Sequence, residues 1–207
     1  MKDPYNVVIT GVGGQGNVLA SLLVGAVLVD KGFKVTIGET YGASQRGGSV
    51  MSHIRISRLR QYGPLIPPGQ ADLVIGLEPA EAARVLAQYG YEETISVVNT
   101  RPVHPVDVIS GAAEYPPLDS LFQRVERLSR KTYFVGATEK ALELGNPVLA
   151  NIALIGAVCG LGLLPINGED IEKAVRTYLS SDRVEMNRLA FIAGTQLVDG
   201  FLSHCQN

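Results

Sequence analysis

Short apolar runs alternate with stretches of helical periodicity along most of the chain. Residues 5–10 are rich in β-branched side chains and end at glycines, which predicts a buried strand. Residues 15–31 carry apolar side chains at helical spacing and stop at Gly32, which predicts a helix. Residues 34–38 predict a second strand. This strand–helix–strand order indicates a βαβ unit with a parallel strand pair.

The rest of the pattern completes an α/β fold. Residues 49–57 alternate between apolar and polar side chains, which predicts a strand covered on one side only. Further strands are predicted at residues 71–77, 94–99 and 132–135, helices at residues 79–89 and 118–130, and proline-rich loops at residues 63–69 and 101–117. After residue 146 every predicted element is a helix: residues 147–163, 169–179 and 183–203. We predict one domain over residues 1–207, a three-layer α/β fold with a mostly parallel, Rossmann-like sheet and a helical C-terminal part.

Composition and charge limit the classes of function and partner that we expect for this chain. Hydrophobic residues make up 46% of the chain, and 18 basic residues face 20 acidic ones. A nucleic-acid binder would usually carry a basic excess, so we expect no nucleic-acid partner. The most apolar stretch, residues 150–164, is shorter than the ~20 residues needed to cross a bilayer and contains glycines, which predicts a buried helix. With no signal-peptide pattern at the N-terminus, we expect a cytoplasmic protein without a membrane partner.

Redox and metal ligands are scarce in the sequence. The two cysteines, Cys159 and Cys205, lie far apart, whereas an iron–sulfur cluster needs about four thiolates. The three histidines have no partners at ligand spacing. We therefore expect no metal site and no catalytic nucleophile in this chain alone.

The first candidate site is a glycine-rich turn between the first strand and the first helix. It contains Gly11, Gly13, Gly14, Gln15 and Gly16. Glycines there let the backbone turn tightly, so that an anion can approach the helix N-terminus. Glu39 lies 23 residues after Gly16, where a dinucleotide-binding fold places its ribose-binding acid. Three interpretations stay open: anion contact, binding of a nicotinamide dinucleotide, and close packing of helix on strand.

A second glycine-rich segment follows the second strand. It contains Gly42, Gln45, Arg46, Gly47 and Gly48. This edge of an open α/β sheet borders the ligand crevice, where Arg46 could hold an anion in two hydrogen bonds. Glu78 and Asn99 follow later strands and should reach the same edge, although each could instead cap a helix or stabilise a turn.

Taken together, these segments resemble the gamma domain of the pyruvate/2-oxoacid:ferredoxin oxidoreductases. The likeness spans about residues 6–195 and rests on residues 11–16, Glu39-Thr40-x-Gly42-x-x-Gln45-Arg46-Gly47-Gly48, Ala71-Asp72-x-x-x-Gly76-x-Glu78-Pro79, Asn99-Thr100-Arg101-Pro102, and Asn146-Pro147 with Asn151, Gly156-Ala157 and Asn187. Within this family, Asn99-Thr100-Arg101-Pro102 and Pro64-Leu65-Ile66-Pro67 are most similar to the beta subunits of indolepyruvate:ferredoxin oxidoreductases.

The resemblance implies an accessory subunit. A larger alpha subunit would carry thiamine diphosphate and [4Fe-4S] clusters, with coenzyme A as co-substrate and ferredoxin as electron acceptor. The complex would oxidise an aryl 2-oxoacid such as indolepyruvate. The two glycine-rich segments of this chain would complete the active site of the partner.

Two other hypotheses fit the residues without the resemblance. The glycine turn with Glu39 would suit a stand-alone NAD(P)-dependent dehydrogenase. The alternating strand at residues 49–57 and the apolar C-terminal helices would suit a non-catalytic module that forms a homodimer.

Overall fold

The computed structural model describes residues 1–42, 48–104 and 106–203. These residues form a six-stranded sheet in the order β2-β3-β1-β4-β5-β6. The strands are β1 (Tyr5–Val12), β2 (Lys34–Tyr41), β3 (Ser49–Ser57), β4 (Leu73–Gly76), β5 (Ile95–Asn99) and β6 (Lys131–Val135). β3 is antiparallel to both of its neighbours, and the other pairs are parallel, so the prediction of a mostly parallel α/β sheet is confirmed.

The first two strands do not pair with each other, which corrects the predicted βαβ pair. β3 lies between them and pairs along its length with β1 on one side and β2 on the other. β1 and β2 still run in the same direction, because each is antiparallel to β3. β3 thus occupies the position in the sheet between β1 and β2.

β3 is covered on both faces, whereas its alternating pattern predicted cover on one side. Met51 and His53 are buried on the face expected to be open. The proline-rich loop at residues 63–69 supplies the cover: Ile66 donates its backbone N–H to His53 Nδ1 at 3.4 Å, and Arg55 donates to the Leu65 carbonyl oxygen at 3.3 Å. The loop thus supplies partners for His53 Nδ1 and Arg55, whereas the buried His53 Nε2 has no partner among the described residues.

Helices cover both faces of the sheet. They are α1 (Asn17–Asp30), α2 (Pro79–Tyr89), α3 (Val106–Ile109), α4 (Leu118–Arg127), α5 (Ala137–Glu143), α6 (Ala150–Gly160), α7 (Gly168–Tyr178), α8 (Val184–Gln196) and α9 (Asp199–Ser203), with 3₁₀ turns at Pro147–Leu149 and Ser181–Arg183. One core joins α1 and the C-terminal helices to the sheet, and a smaller core joins α2 and α4 to its other face. The predicted three layers are confirmed.

Side chains at the helix starts explain several boundaries. Glu78 accepts a hydrogen bond from the Glu81 N–H, and Pro79 occupies the first position of α2. Asn167 and Asp170 form a reciprocal capping box at the start of α7. Among the described residues, no helix is both long enough and apolar enough to cross a membrane.

The C-terminal part is held by a close crossing of α6 and α8. Residues 150–158 of α6 are all buried, as expected for a core helix. A methyl group added to Gly194 would overlap the Ala153 carbonyl, and one added to Gly156 would overlap the Phe191 carbonyl. The two backbones approach so closely that only glycine fits at either position.

We predict that Gly194→Ala destabilises the protein by about 1–3 kcal/mol, because the methyl group must push two buried helices apart. Gly168→Ala is the matched control, since its added methyl would lie at an ordinary 3.7 Å from the Phe191 ring. Urea unfolding of both variants measures the effect. Equal stabilities for the two variants would contradict the close crossing.

Candidate functional site

The glycine-rich turn lies at the carboxyl edge of the sheet, and its positions require glycine for different reasons. Gly14 and Gly16 have φ of 102° and 81°, in the left-handed region that favours glycine. Gly11 needs its small size, because a Cβ there would lie 2.5 Å from Gln15 Oε1 and 3.0 Å from Leu77 Cβ. Close packing thus accounts for part of the motif.

The Gln15 side chain bridges the turn to the neighbouring strand end. Its Oε1 accepts the Val12 N–H at 2.8 Å, and its Nε2 donates to the Leu77 carbonyl oxygen at 3.0 Å. Gly13 donates its N–H to the Gly48 carbonyl oxygen at 2.8 Å. Two of the N–H groups that could bind an anion are therefore already engaged, and anion contact at this turn stays a prediction.

Asn99 donates a hydrogen bond to the same Leu77 carbonyl oxygen as Gln15. Its Nδ2 donates to the Leu77 oxygen at 3.2 Å and to Thr138 Oγ1 at 2.9 Å, while its Oδ1 accepts the Thr138 N–H at 3.1 Å. Asn99 is 1% exposed. It therefore stabilises the first turn of α5 from a neighbouring strand, which is the helix-capping alternative for this residue.

Two asparagines that the sequence analysis did not assign to the turn hold it on its other side. Asn17 donates its Nδ2 to the Val50 carbonyl oxygen at 3.0 Å, and Asn151 donates its Nδ2 to the Gly16 carbonyl oxygen at 3.1 Å. Both side chains are buried. The position of Asn17 directly after the glycines was the available signal. The contact of Asn151 joins parts of the chain 135 residues apart, which no local pattern reveals.

Glu39 lies within β2 and is already hydrogen-bonded. Its Oε1 accepts from the Ser21 hydroxyl at 2.8 Å, and its Oε2 accepts from the Ser52 hydroxyl at 2.5 Å. The inserted β3 also separates β2 from β1, so Glu39 lies two strands away from the strand that carries the glycine turn. Both facts argue against the role of Glu39 as a ribose-binding acid.

The second glycine-rich segment meets the first at the described ends of the β2–β3 connection. Gly42 donates its N–H to the Ser49 carbonyl oxygen at 2.8 Å, and the Gly48 oxygen receives the Gly13 N–H. The sequence placed the two segments at one edge, and this contact joins them. The predicted site residues Gln45, Arg46 and Gly47 lie outside the described residues.

Glu78 is the most deeply buried acid at this edge. It is 1% exposed, accepts the Glu81 N–H at 2.8 Å, and accepts a hydrogen bond from the Tyr115 hydroxyl. Burial raises the pKa of Glu78 above its ordinary value, and the hydrogen bond from Tyr115 partly opposes this. The Tyr115 ring also packs on His104 at 5.0 Å between centroids, so Glu78 fastens the segment around Tyr115 to the start of α2. Nothing local in the sequence pointed to Tyr115.

Two clefts flank the glycine turn. A cavity of about 350 Å³ is lined by Gly13, Gly16, Val18, Tyr41 and Val50 among others. A cavity of about 190 Å³ on the other side is lined by Gly14, Leu77, Val103, Thr138 and Val148 among others. The glycine turn thus lies between two clefts at the carboxyl edge of the sheet, where open α/β sheets bind ligands.

The described side chains do not fit a metal or cluster site. Within residues 1–42, 48–104 and 106–203, no three His, Cys, Asp or Glu side chains come together as metal ligands would. Burial raises the pKa of the Cys159 thiol to about 12, so this thiol stays protonated at neutral pH and is a poor metal ligand.

We predict that Glu78 makes stability depend on pH. Because its pKa is raised in the folded state, the contribution of neutral Glu78 is complete below about pH 4.5 and is lost as the pH rises through the folded-state pKa. The free energy of unfolding of the wild type should therefore fall relative to that of Glu78→Gln as the pH rises. Each tenfold difference in proton affinity between the folded and unfolded states corresponds to about 1.4 kcal/mol.

Urea unfolding of both proteins between about pH 4 and pH 8 measures this difference. Tyr115→Phe is the second variant to measure, because loss of the hydroxyl removes a hydrogen bond that lowers the pKa of Glu78. The free energy of unfolding of this variant should therefore depend more strongly on pH than that of the wild type. A difference that stays constant across this range would show that Glu78 titrates normally.

Comparison with known proteins agrees with this architecture. The model of the pyruvate ferredoxin/flavodoxin oxidoreductase family matches residues 6–197. The indolepyruvate oxidoreductase subunit IorB of Thermococcus kodakarensis is 38% identical, over 95% of this chain and 96% of that protein. The gamma subunit of a keto/oxoacid ferredoxin oxidoreductase from Geobacter sulfurreducens has the same fold, with a TM-score of 0.65 at 24% identity over 93% of this chain and 96% of that one.

A larger protein contains the same fold as one part. The 2-oxoglutarate:ferredoxin oxidoreductase of Magnetococcus marinus superposes with a TM-score of 0.73 at 16% identity, over 97% of this chain but 32% of that chain. The fold thus occurs both as a separate small subunit and within a longer polypeptide. On the extent of the family match and the identity to a full-length relative, the chain belongs to the pyruvate ferredoxin/flavodoxin oxidoreductase family.

Proposed function

We propose that this chain is the small accessory subunit of a 2-oxoacid:ferredoxin oxidoreductase that acts on an aryl 2-oxoacid such as indolepyruvate. The observation that carries the proposal is the 38% identity to an indolepyruvate oxidoreductase subunit over nearly the full length of both chains. Because both chains are covered almost from end to end, the likeness concerns the whole subunit rather than one shared domain.

The proposal divides the chemistry between two subunits. A larger partner holds thiamine diphosphate and [4Fe-4S] clusters, and the complex passes electrons to ferredoxin and the acyl group to coenzyme A. The cofactors supply the reactive chemistry, while the protein supplies binding, orientation and electrostatics. The described residues of this chain support such a role, because buried amide side chains hold the carboxyl edge of the sheet in place. Use of coenzyme A and ferredoxin also favours a cytoplasmic location.

The carboxyl edge is the surface that we assign to the shared site. Its backbone is fixed by the buried amides of Asn99 and Asn151 and the half-buried amide of Gln15, and the two flanking clefts open beside it. Such an edge can position groups of the substrate and the partner without itself taking part in bond making. The predicted ligand-contacting residues Gly11, Gly13, Gly14, Gly16, Gly42, Gly48 and Glu78 all lie at this edge.

The outer face of α1 supports a protein partner next to this edge. The helix carries no charged residue before Asp30, and Val18, Leu22 and Val29 are 43%, 40% and 54% exposed. Tyr41, 62% exposed, shares the larger flanking cleft with Val18. A helix that is apolar all round is normally covered, so we assign this face to the larger subunit.

The stand-alone dehydrogenase is the alternative that the glycine turn suggests. Both carboxylate oxygens of Glu39 accept hydrogen bonds from serines. Glu39 is therefore already engaged, whereas a dinucleotide-binding fold uses the acid at this place to bind the ribose of the dinucleotide. Calorimetric titration with NADH separates the two functions. Micromolar binding would favour the dehydrogenase over the accessory subunit.

We predict that 2-oxoacid oxidation requires both subunits. The purified chain, the purified larger subunit and their mixture are assayed with coenzyme A, thiamine diphosphate and ferredoxin. Reduction of ferredoxin is expected only in the mixture, and faster with indolepyruvate than with pyruvate or 2-oxoglutarate. Oxidation of any of these acids by this chain alone would disprove the proposal.

We also predict that Leu22→Lys weakens assembly without unfolding the chain. A charge in the centre of the apolar face of α1 should lower the affinity for the larger subunit at least tenfold, roughly 1.4 kcal/mol. Leu59→Lys is the control, because Leu59 is 74% exposed and follows β3 at the opposite edge of the sheet from the glycine turn. Co-purification and thermal unfolding measure both effects. Equal retention of the two variants would exclude this face as the contact.

A further inference from the structure

A cavity of about 430 Å³ lies among the C-terminal helices and adjoins the glycine turn, because Asn151, which donates to the Gly16 carbonyl oxygen, also lines it. It opens between Leu19 in the first turn of α1, Leu149 before α6, and Met186 in the first turn of α8. Its size falls within the roughly 300–1,000 Å³ of small-molecule sites. It shares Val148 with the smaller cleft beside the glycine turn and is otherwise lined by different residues.

One part of the cavity is apolar. Leu19, Leu149, Leu179 and Met186 line it, and they come from four separate segments of the chain. The cavity is therefore a product of the tertiary fold and not a groove along one helix. An apolar group of branched or aromatic size would remove this lining from water.

The lining also carries one positive and one negative charge. Asp182 and Arg183 both line the cavity, and none of the ion pairs among the described residues involves Arg183. A hydrogen bond from Ser180 holds the pKa of Asp182 below its ordinary value, so the carboxylate is ionised at neutral pH. The lining can thus attract an anion and a cation at once.

Asn187 adds a hydrogen-bond acceptor to the lining of the cavity. The residue is 5% exposed and lines the cavity. Its Nδ2 donates to the Arg183 carbonyl oxygen at 2.7 Å, while its Oδ1 accepts no hydrogen bond from another described residue. Asn146 also lines the cavity and is exposed: its Oδ1 accepts the Val148 N–H at 3.1 Å, and its Nδ2 donates to no described residue. Neither Asn187 Oδ1 nor Asn146 Nδ2 is engaged by another described residue, so each is available to a ligand in the cavity.

We propose that this cavity binds a free α-amino acid with a large apolar side chain, held as its zwitterion. The Arg183 guanidinium and Asn146 Nδ2 receive the carboxylate, and the Asp182 carboxylate and Asn187 Oδ1 receive the ammonium group. The apolar wall covers the side chain. A phosphate or other dianion fits less well, because Asp182 would repel it. This inference goes beyond the proposed function and does not depend on it.

Calorimetric titration of the full chain tests the inference with three ligands that share one ring. They are L-phenylalanine, 3-phenylpropionate without the ammonium group, and phenethylamine without the carboxylate. L-phenylalanine is expected to bind with a Kd below about 1 mM, and each analogue at least tenfold more weakly, which corresponds to about 1.4 kcal/mol. L-tryptophan and L-leucine extend the series in side-chain size, and L-alanine should bind at least tenfold more weakly than these.

Two substitutions test whether the charged side chains of the lining bind the amino acid. Arg183→Gln and Asp182→Asn are each expected to weaken amino-acid binding at least tenfold, and both residues are exposed, so the fold should persist. Arg188→Gln is the matched control, because Arg188 pairs with Glu185 on the same helix and does not line the cavity. The inference is overturned if none of the large apolar amino acids binds, if 3-phenylpropionate or inorganic phosphate binds as tightly as L-phenylalanine, or if Arg188→Gln weakens binding as much as Arg183→Gln.

Discussion

The Leu77 carbonyl oxygen accepts hydrogen bonds from Gln15 and Asn99, and the Leu77 N–H donates to the Thr10 carbonyl oxygen at 2.8 Å. This one peptide segment therefore ties together the carboxyl ends of β1, β4 and β5. Because Asn99 is buried and Gln15 partly so, losing either amide leaves a desolvated polar group, which costs about 1–3 kcal/mol. The glycine turn, the start of α5 and the clefts beside them depend on this arrangement.

Much of the fold follows from local signals. α2 begins at Pro79 and ends at Tyr89 as predicted, because an acidic cap and a proline mark its start. The place of β3 does not follow, because pairing between β1 and β2 is decided by competition among strands distant in sequence. The pattern of residues 49–57 indicated a strand but could not show that a proline-rich loop covers its second face.

The candidate site was also only partly predictable from the sequence. The sequence brought the two glycine-rich segments and Glu78 to one edge, since strand ends in a parallel sheet share an edge. It could not distinguish residues that contact a ligand from those that hold the scaffold. Gln15 and Asn99 use their side chains on backbone groups. Tyr115 and Asn151 reach the site from distant segments, and only the folded chain brings them there.

The β2–β3 connection is closed at its base, where Gly42 bonds to Ser49 and Gly48 to Gly13. Strand register is therefore fixed below the residues that join the two strands. The bond from Gly13 to Gly48 also joins the start of β3 to the glycine turn. A shift at either described end of the β2–β3 connection would therefore be transmitted to the turn and to the clefts beside it.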